Sequence, residues 1–218
     1  MTRFTNQASL FALAIALAPT AFADQVEVEY LGSQGNAGRA ALVSLSGGLA
    51  FNDGSTNKMV WAGTRSFLID GQLVRTYATE LTSSNGDGTF EQLSAIEALG
   101  QIKGNALNAL FAANSNGNIA NREQTVAFQA LIWEIVYDFD GSEQSLDITD
   151  GNVRVRMINR TMFESMKSAA MRNGPSTLDL IASDDFNNNI LVVPLPSTAA
   201  LAGLGLAGLV SIRRRRQR

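Results

Sequence analysis

Alternation of hydrophobic and polar positions predicts β-strands in the first third of the chain. Residues 26–30 and 41–45 place hydrophobic side chains at every second position, so that one face of each strand is apolar. Residues 59–70 and 73–81 are rich in β-branched and aromatic side chains, which favour strands. Turns containing Gly, Asn and Asp separate these ranges. A meander, sandwich or barrel is therefore expected.

The hydrophobic period changes to that of a helix in the middle of the chain. Residues 106–113, 122–137 and 159–172 are predicted helices, and apolar residues cover nearly all faces of the second. Such a helix is buried on most sides. Residues 178–182 and 190–193 are predicted closing strands. The expected fold class is α+β, a β-rich sandwich or barrel-like body with a buried central helix.

The first 23 residues have the pattern of a secretory signal peptide. Arg3 provides the positive charge, and residues 10–18 form a short apolar core. The predicted cleavage site comprises Ala21, Ala23 and Asp24. The Sec translocon and signal peptidase are the expected partners, and Asp24 is the expected mature N-terminus.

The C-terminal end has the pattern of a membrane anchor. Residues 197–212 are uncharged and mostly apolar, giving a helix of about 24 Å against a hydrocarbon core of about 30 Å. The arginines that follow form a stop-transfer signal that keeps this end cytoplasmic: Arg213, Arg214, Arg215, Arg216 and Arg218. A solvated basic tail is the alternative, and the adjoining apolar run argues against it.

Composition excludes several classes of protein. The chain has no histidine and no cysteine, so His- or Cys-ligated zinc, disulfides, Ser-His-Asp triads and cysteine nucleophiles are all ruled out. Between the two terminal segments lie 11 basic and all 20 acidic residues, a net charge of −9. A body this acidic has no electrostatic reason to bind nucleic acid.

The C-terminal segment resembles a known class of sorting tag. A motif precedes the apolar helix and the arginine cluster, and it consists of Val193, Pro194, Leu195, Pro196 and Ser197. The order motif, helix, arginines over residues 193–218 is similar to PEP-CTERM signals of the VPLP variant, with Leu195 in place of glutamate. The resemblance implies a Gram-negative source and processing by an exosortase near the two prolines. The prolines also favour an extended, accessible segment.

A second resemblance lies in the buried helix. The sequence from Gln129 to Glu134, QALIWE, is similar to the glutamine motif of thioester domains of bacterial surface adhesins, in which this glutamine bonds to a cysteine on an earlier strand. The corresponding strand sequence is FLID at residues 67–70, with Leu68 in place of cysteine. The resemblance therefore implies a thioester-domain-like exported body over residues 24–192 in which no thioester forms. Gln129 is then expected to be a buried structural residue.

Other groups of polar residues carry less specific signals. Asp138 and Asp140 are candidate oxygen ligands for a structural Ca²⁺ ion, but the spacing lacks the glutamate of an EF-hand loop. Solvated acids in a turn are favoured, and no cofactor is expected. The acids from which a glycosidase pair would be drawn are Glu80, Glu91, Glu97 and Glu134.

Three functions from different classes follow. The first is an exported, noncatalytic surface or extracellular-matrix protein, held in the inner membrane as a precursor, processed by an exosortase and associated with exopolysaccharide or biofilm. The second is a carbohydrate- or peptide-binding adhesin module that uses a face of the β-rich body. The third is a carboxylate-based hydrolase, which requires a cleft with two converging acids. The first is favoured, with no enzymatic activity.

Overall fold

A closed barrel and a separate three-stranded sheet organise the fold. The structure, a computed structural model, describes residues 24–33, 38–119, 121–172, 178–183 and 189–191. The strands are β1 (Asp24–Gly32), β2 (Gly38–Leu45), β3 (Asn57–Gly63), β4 (Arg65–Ile69), β5 (Gln72–Ala78), β6 (Gly88–Ser94), β7 (Val153–Arg156), β8 (Asp179–Ala182) and β9 (Asn189–Leu191). The helices are α1 (Ala95–Leu99), α2 (Gln101–Ala113), α3 (Arg122–Tyr137) and α4 (Arg160–Ala170).

The barrel is built from six antiparallel strands in the order β1-β4-β5-β9-β8-β6. Strand β1 pairs with both β4 and β6, and the short β9 closes the ring between β5 and β8. A small apolar cluster formed by the barrel strands consists of Val26, Val28, Phe67, Ile69, Phe90 and Ile181. Large β-branched and aromatic side chains fill a barrel of this size without leaving a channel.

The second sheet has the order β3-β2-β7 and lies against α3. Alternation assigns one side of each strand to the core, where Ala41, Val43 and Val155 are buried. The opposite side contains Ala40, Leu42, Met59, Trp61, Arg154 and Arg156, and we call these six residues the outer face.

Helix α3 is the centre of the main core. Its residues from Thr125 to Ile135 are all buried, and α2 and α4 pack against it on the sides away from the sheet. The helix begins where the side chain of Asn121 accepts a hydrogen bond from the Gln124 N–H, 3.0 Å away. The predicted buried helix over residues 122–137 is confirmed.

The predicted β-rich body with helices is confirmed, with corrections to individual elements. The single strand predicted over residues 59–70 is two strands: β3 belongs to the small sheet and β4 to the barrel, and the chain changes sheets at Thr64. Strands β6 and β7 and helix α1 were not predicted. Helix α2 begins at Gln101, five residues before the predicted start. The signal peptide and the C-terminal helix lie outside the described residues.

Gly104 allows α1 and α2 to approach closely. A Cβ atom at this position would lie 2.7 Å from the Ile96 Cα and 2.8 Å from the backbone of Ala95. We expect Gly104→Ala to lower the free energy of unfolding by about 1 to 3 kcal/mol, because rigid backbone cannot move away from the added methyl group. Urea unfolding of the two proteins measures this change.

The matched control is Ala112→Gly at an exposed position of the same helix. Ala112 lies in the last turn of α2, where helix propensity makes glycine at most about 1 kcal/mol worse than alanine. If Gly104→Ala instead raised stability, as propensity alone predicts, the close approach of α1 and α2 would not be a packing constraint.

Candidate functional site

Gln129 lies at the contact between α3 and the end of β5. Its side-chain Nε2 donates a hydrogen bond to the backbone carbonyl of Ala78, 2.8 Å away. Both residues are fully buried, and the Gln129 Oε1 atom has no hydrogen-bond partner. An unpaired buried acceptor is costly, so this orientation is maintained by the packing around it.

The structure does not bring Leu68 and Gln129 together. Leu68 lies on β4 opposite Leu73 of β5, whereas Ala78 is five residues farther along β5. At 3.3 Å per residue, that separation is about 17 Å, too far for the two side chains to meet. The residue beside Gln129 is Ala78. The four-residue sequence YATE at residues 77–80 has the same aromatic-x-x-acid pattern as FLID at residues 67–70. This repetition is the signal that sequence reasoning missed.

The residues at this contact form a buried junction. Ala78 has only a methyl group, and the sequence contains no cysteine. The Tyr77 hydroxyl donates to the Gly117 carbonyl at 2.9 Å, and burial raises the pKa of Tyr77. Its ring makes edge contacts with Phe111 and Phe128. The contact therefore joins the helix to the barrel strand β5.

Glu134 and Trp133 form a second unusual site one turn farther along α3. Both side chains are fully buried, and neither the Glu134 carboxyl oxygens nor the Trp133 Nε1 atom has a hydrogen-bond partner. Burial raises the pKa of Glu134 to about 9, with further contributions from the negative charges of Asp138 and Asp147. The backbone N–H of Asp147, which lies outside hydrogen-bond geometry, and the charge of Lys167 act in the opposite direction. Glu134 is therefore a neutral acid at pH 7.

The acidic turn that follows α3 is stabilised by its own backbone. The Asp138 carboxylate accepts hydrogen bonds from the N–H groups of Asn152 (2.8 Å) and Val153 (3.0 Å). Asp140 accepts one from the Ser142 N–H at 2.8 Å, and hydrogen bonds from Ser142 lower its pKa. Among the described residues, no three acidic side chains are grouped so as to hold a metal ion. The carboxylates of Asp138 and Asp140 thus stabilise the turn by accepting hydrogen bonds from its backbone N–H groups.

The four glutamates considered for a hydrolase have separate environments. Glu97 forms a capping box with Ser94 at the start of α1, and Glu80 accepts a hydrogen bond from the Ser83 hydroxyl. Glu91 is exposed on β6, and Glu134 is buried in α3. A surface groove of about 250 Å³ lies between α2, α3 and α4, and its lining contains no carboxylate. A pair of converging acids is therefore not supported.

The predicted processing residues lie outside the described part of the chain, apart from Asp24 in β1. These are Ala21 and Ala23 of the signal, Val193 to Ser197 of the motif, and the arginine cluster. Within residues 24–191, as far as the structure describes them, no helix is long and apolar enough to cross a membrane.

The segment that follows β9 in the sequence is a sorting signal of exported, surface-directed proteins. Residues 192–216 match the PEP-CTERM protein-sorting motif, which indicates exosortase-dependent sorting. The sorting tag predicted from the sequence is thereby confirmed.

Two further comparisons complete this result. The chain is similar to the thioester domain of the Staphylococcus aureus TIE protein, with 12% sequence identity, a TM-score of 0.37 and 77% coverage of each chain. No curated protein matches the sequence.

Proposed function

We propose that this chain is a noncatalytic surface or extracellular-matrix protein that an exosortase sorts and processes through its C-terminal tag. The match of residues 192–216 to the sorting motif is the observation that supports this function. The motif begins immediately after β9, which ends at Leu191. In this proposal the folded body is the part that is sorted, and the C-terminal segment is the signal that directs it.

The polar groups of the body support a role without catalysis. Gln129 faces Ala78 instead of a nucleophile, and Glu134 is fully enclosed. Asp138 is engaged by two backbone N–H groups. A catalytic acid or base must reach a substrate, and none of these groups is placed to do so.

The proposed route begins with export through the Sec translocon and cleavage before Asp24. The C-terminal helix then holds a precursor in the inner membrane of a Gram-negative cell. Exosortase cleavage near Pro196 delivers the body to the cell surface or to the extracellular matrix.

Intact-mass and C-terminal peptide analysis of protein from native cells tests this route. Membrane, periplasmic and extracellular fractions are analysed separately. We expect a mature chain that begins at Asp24 and ends near Pro196, recovered outside the inner membrane. A chain that keeps its arginine tail in the membrane fraction would identify a permanent anchor and overturn the proposal.

A pair of proline variants sharpens the same experiment. Pro194→Ala/Pro196→Ala removes the extended motif and is expected to leave the tail attached, because the chain can then continue as a helix. Pro175→Ala lies in the body and is expected to be processed normally. Equal processing of both variants would contradict a role for the prolines.

A second function, binding of a carbohydrate or peptide, is favoured by one observation. The outer face exposes hydrophobic side chains and two arginines on the same side of a β-sheet, and Met59 alone is 48% exposed. A surface protein that binds matrix material would use such a face.

A further inference from the structure

The outer face is a flat surface with an apolar half and a cationic half. On β3, Met59 lies opposite Leu42 of β2, and Trp61 lies opposite Ala40. On the other side of β2, Arg156 also lies opposite Leu42. The central strand therefore carries Leu42 between a methionine and an arginine, with the tryptophan beside them.

The apolar half is partly exposed, whereas several residues on the opposite side of the same sheet are completely buried. Val43 and Ala62 on the inner side have no exposed area, whereas Met59 is 48% exposed and Trp61 is partly exposed. The Trp61 Nε1 atom already donates to the Thr64 carbonyl at 3.0 Å. The indole therefore offers its ring, and not its N–H, to a ligand.

The charge of the cationic half is opposite in sign to the net charge of the body. Arg154 and Arg156 are two residues apart on β7, so their side chains lie on the same side of the strand and their Cα atoms are about 7 Å apart. None of the six residues of the outer face is acidic, although the body has a net charge of −9. Within the described residues neither guanidinium forms an ion pair, and the Arg154 Nε atom is buried without a hydrogen-bond partner.

We propose that the outer face binds an acidic polysaccharide, with Trp61 and Met59 against the apolar face of a sugar ring and the two arginines on its carboxylate groups. Guanidinium groups bind carboxylates through two parallel hydrogen bonds, and an indole ring presents a flat apolar surface. This inference names the partner of the proposed surface protein and rests on its extracellular location.

Charge distinguishes this ligand from a second copy of the chain. A second copy of the chain would bring four arginines of two outer faces together without an acid between them, which is repulsive. A single acidic polymer satisfies the arginines and covers the apolar half as well.

Binding of defined polymers to the mature protein from native cells tests the proposal. The probes are polygalacturonate, neutral dextran of similar length, and poly-glutamate, titrated at low and high salt. We expect polygalacturonate to bind, dextran to bind at least tenfold more weakly, and raised salt to weaken the polygalacturonate complex. Absence of polygalacturonate binding, or equal binding of dextran, would overturn the proposal.

Variants separate the two halves of the face. Arg154→Gln/Arg156→Gln is expected to lower the affinity for polygalacturonate by tenfold or more, and Trp61→Ala by about tenfold. Arg75→Gln is the matched control, since Arg75 is exposed on the barrel strand β5, away from this sheet, and its affinity should be unchanged. The urea-unfolding midpoint of each variant verifies that it is folded.

The outcomes also distinguish an acidic protein ligand from a polysaccharide. If poly-glutamate bound as tightly as polygalacturonate and Trp61→Ala had no effect on either, the face would be a site for acidic peptides and the proposed ligand would be wrong. Binding is measured without the sorting machinery. If the protein does not bind the polymer, the proposed exosortase processing is unaffected. If the protein is not processed, a measured affinity for the polymer still stands.

Discussion

Trp133→Ala is expected to lower the free energy of unfolding by about 3 to 5 kcal/mol, the range for removal of a buried large aromatic side chain. Trp133 has no exposed surface, and α3 carries it into the main core between the small sheet and the helices. The remaining cavity would be too enclosed to collapse fully. Urea unfolding monitored by circular dichroism measures the change, because this probe does not depend on the lost tryptophan.

The second tryptophan of the chain provides the control. Trp61 is partly exposed on the outer face, so Trp61→Ala is expected to cost much less than Trp133→Ala. Trp133→Phe keeps a ring in the core and removes the buried N–H that lacks a partner. Its cost should lie below that of the alanine variant. A loss below about 1 kcal/mol for Trp133→Ala would contradict burial of α3.

Glu134→Gln is expected to make the protein more stable at pH 8 and to leave its stability nearly unchanged at pH 5. The pKa of Glu134 is raised from 4.5 to about 9, chiefly by burial. Between these values the unfolded chain is ionised while the native chain retains the proton. Stability therefore falls as the pH rises through this window, by up to about 1.4 kcal/mol per pH unit, and levels off above the native pKa.

Glutamine has the shape of the neutral acid and does not titrate, so the variant should lose this part of the slope. Urea unfolding between pH 5 and pH 8.5 compares the wild type with Glu134→Gln and with Glu143→Gln, an exposed acid of the following turn. Hydrogen bonds lower the pKa of Glu97, Asp140 and Asp147, and their effects fall below this range. Parallel curves for all three proteins would show that Glu134 is not neutral in the native state.

Helix α3 shows how much of this fold local sequence can predict. Its predicted and observed bounds agree, because Asn121 caps it and apolar residues occupy every face. The pattern that identifies such a helix lies entirely within the helix. No knowledge of its partners is needed.

The division between β3 and β4 shows what local sequence does not contain. Residues 59–70 form one continuous strand-like stretch, yet Trp61 belongs to the small sheet and Phe67 to the barrel. The choice depends on β2 and β1, which are distant in sequence. Strand β7 has only four residues, and its alternation of valine and arginine is too short to identify without its pairing to β2.

The candidate site was predictable in part for the same reason. Gln129 is identified within its helix, but its neighbour depends on which strand passes α3, and YATE and FLID both have suitable patterns. In the structure the neighbour of Gln129 is Ala78 of β5. The pairing of a helix with a strand is thus a long-range property, whereas the identity of the helix is local.

The position of β9 makes the barrel the part of the fold nearest to the sorting tag along the chain. This strand has three residues, lies between β5 and β8, and ends at Leu191, one residue before the sorting motif begins. Tension applied through the tag reaches β9 before any other element. Withdrawal of one short strand opens the ring of the barrel, while α3 and the sheet that carries the outer face are attached elsewhere in the chain. A pull on the tag of the unprocessed chain would therefore act on the barrel before it acts on the sheet that carries the outer face.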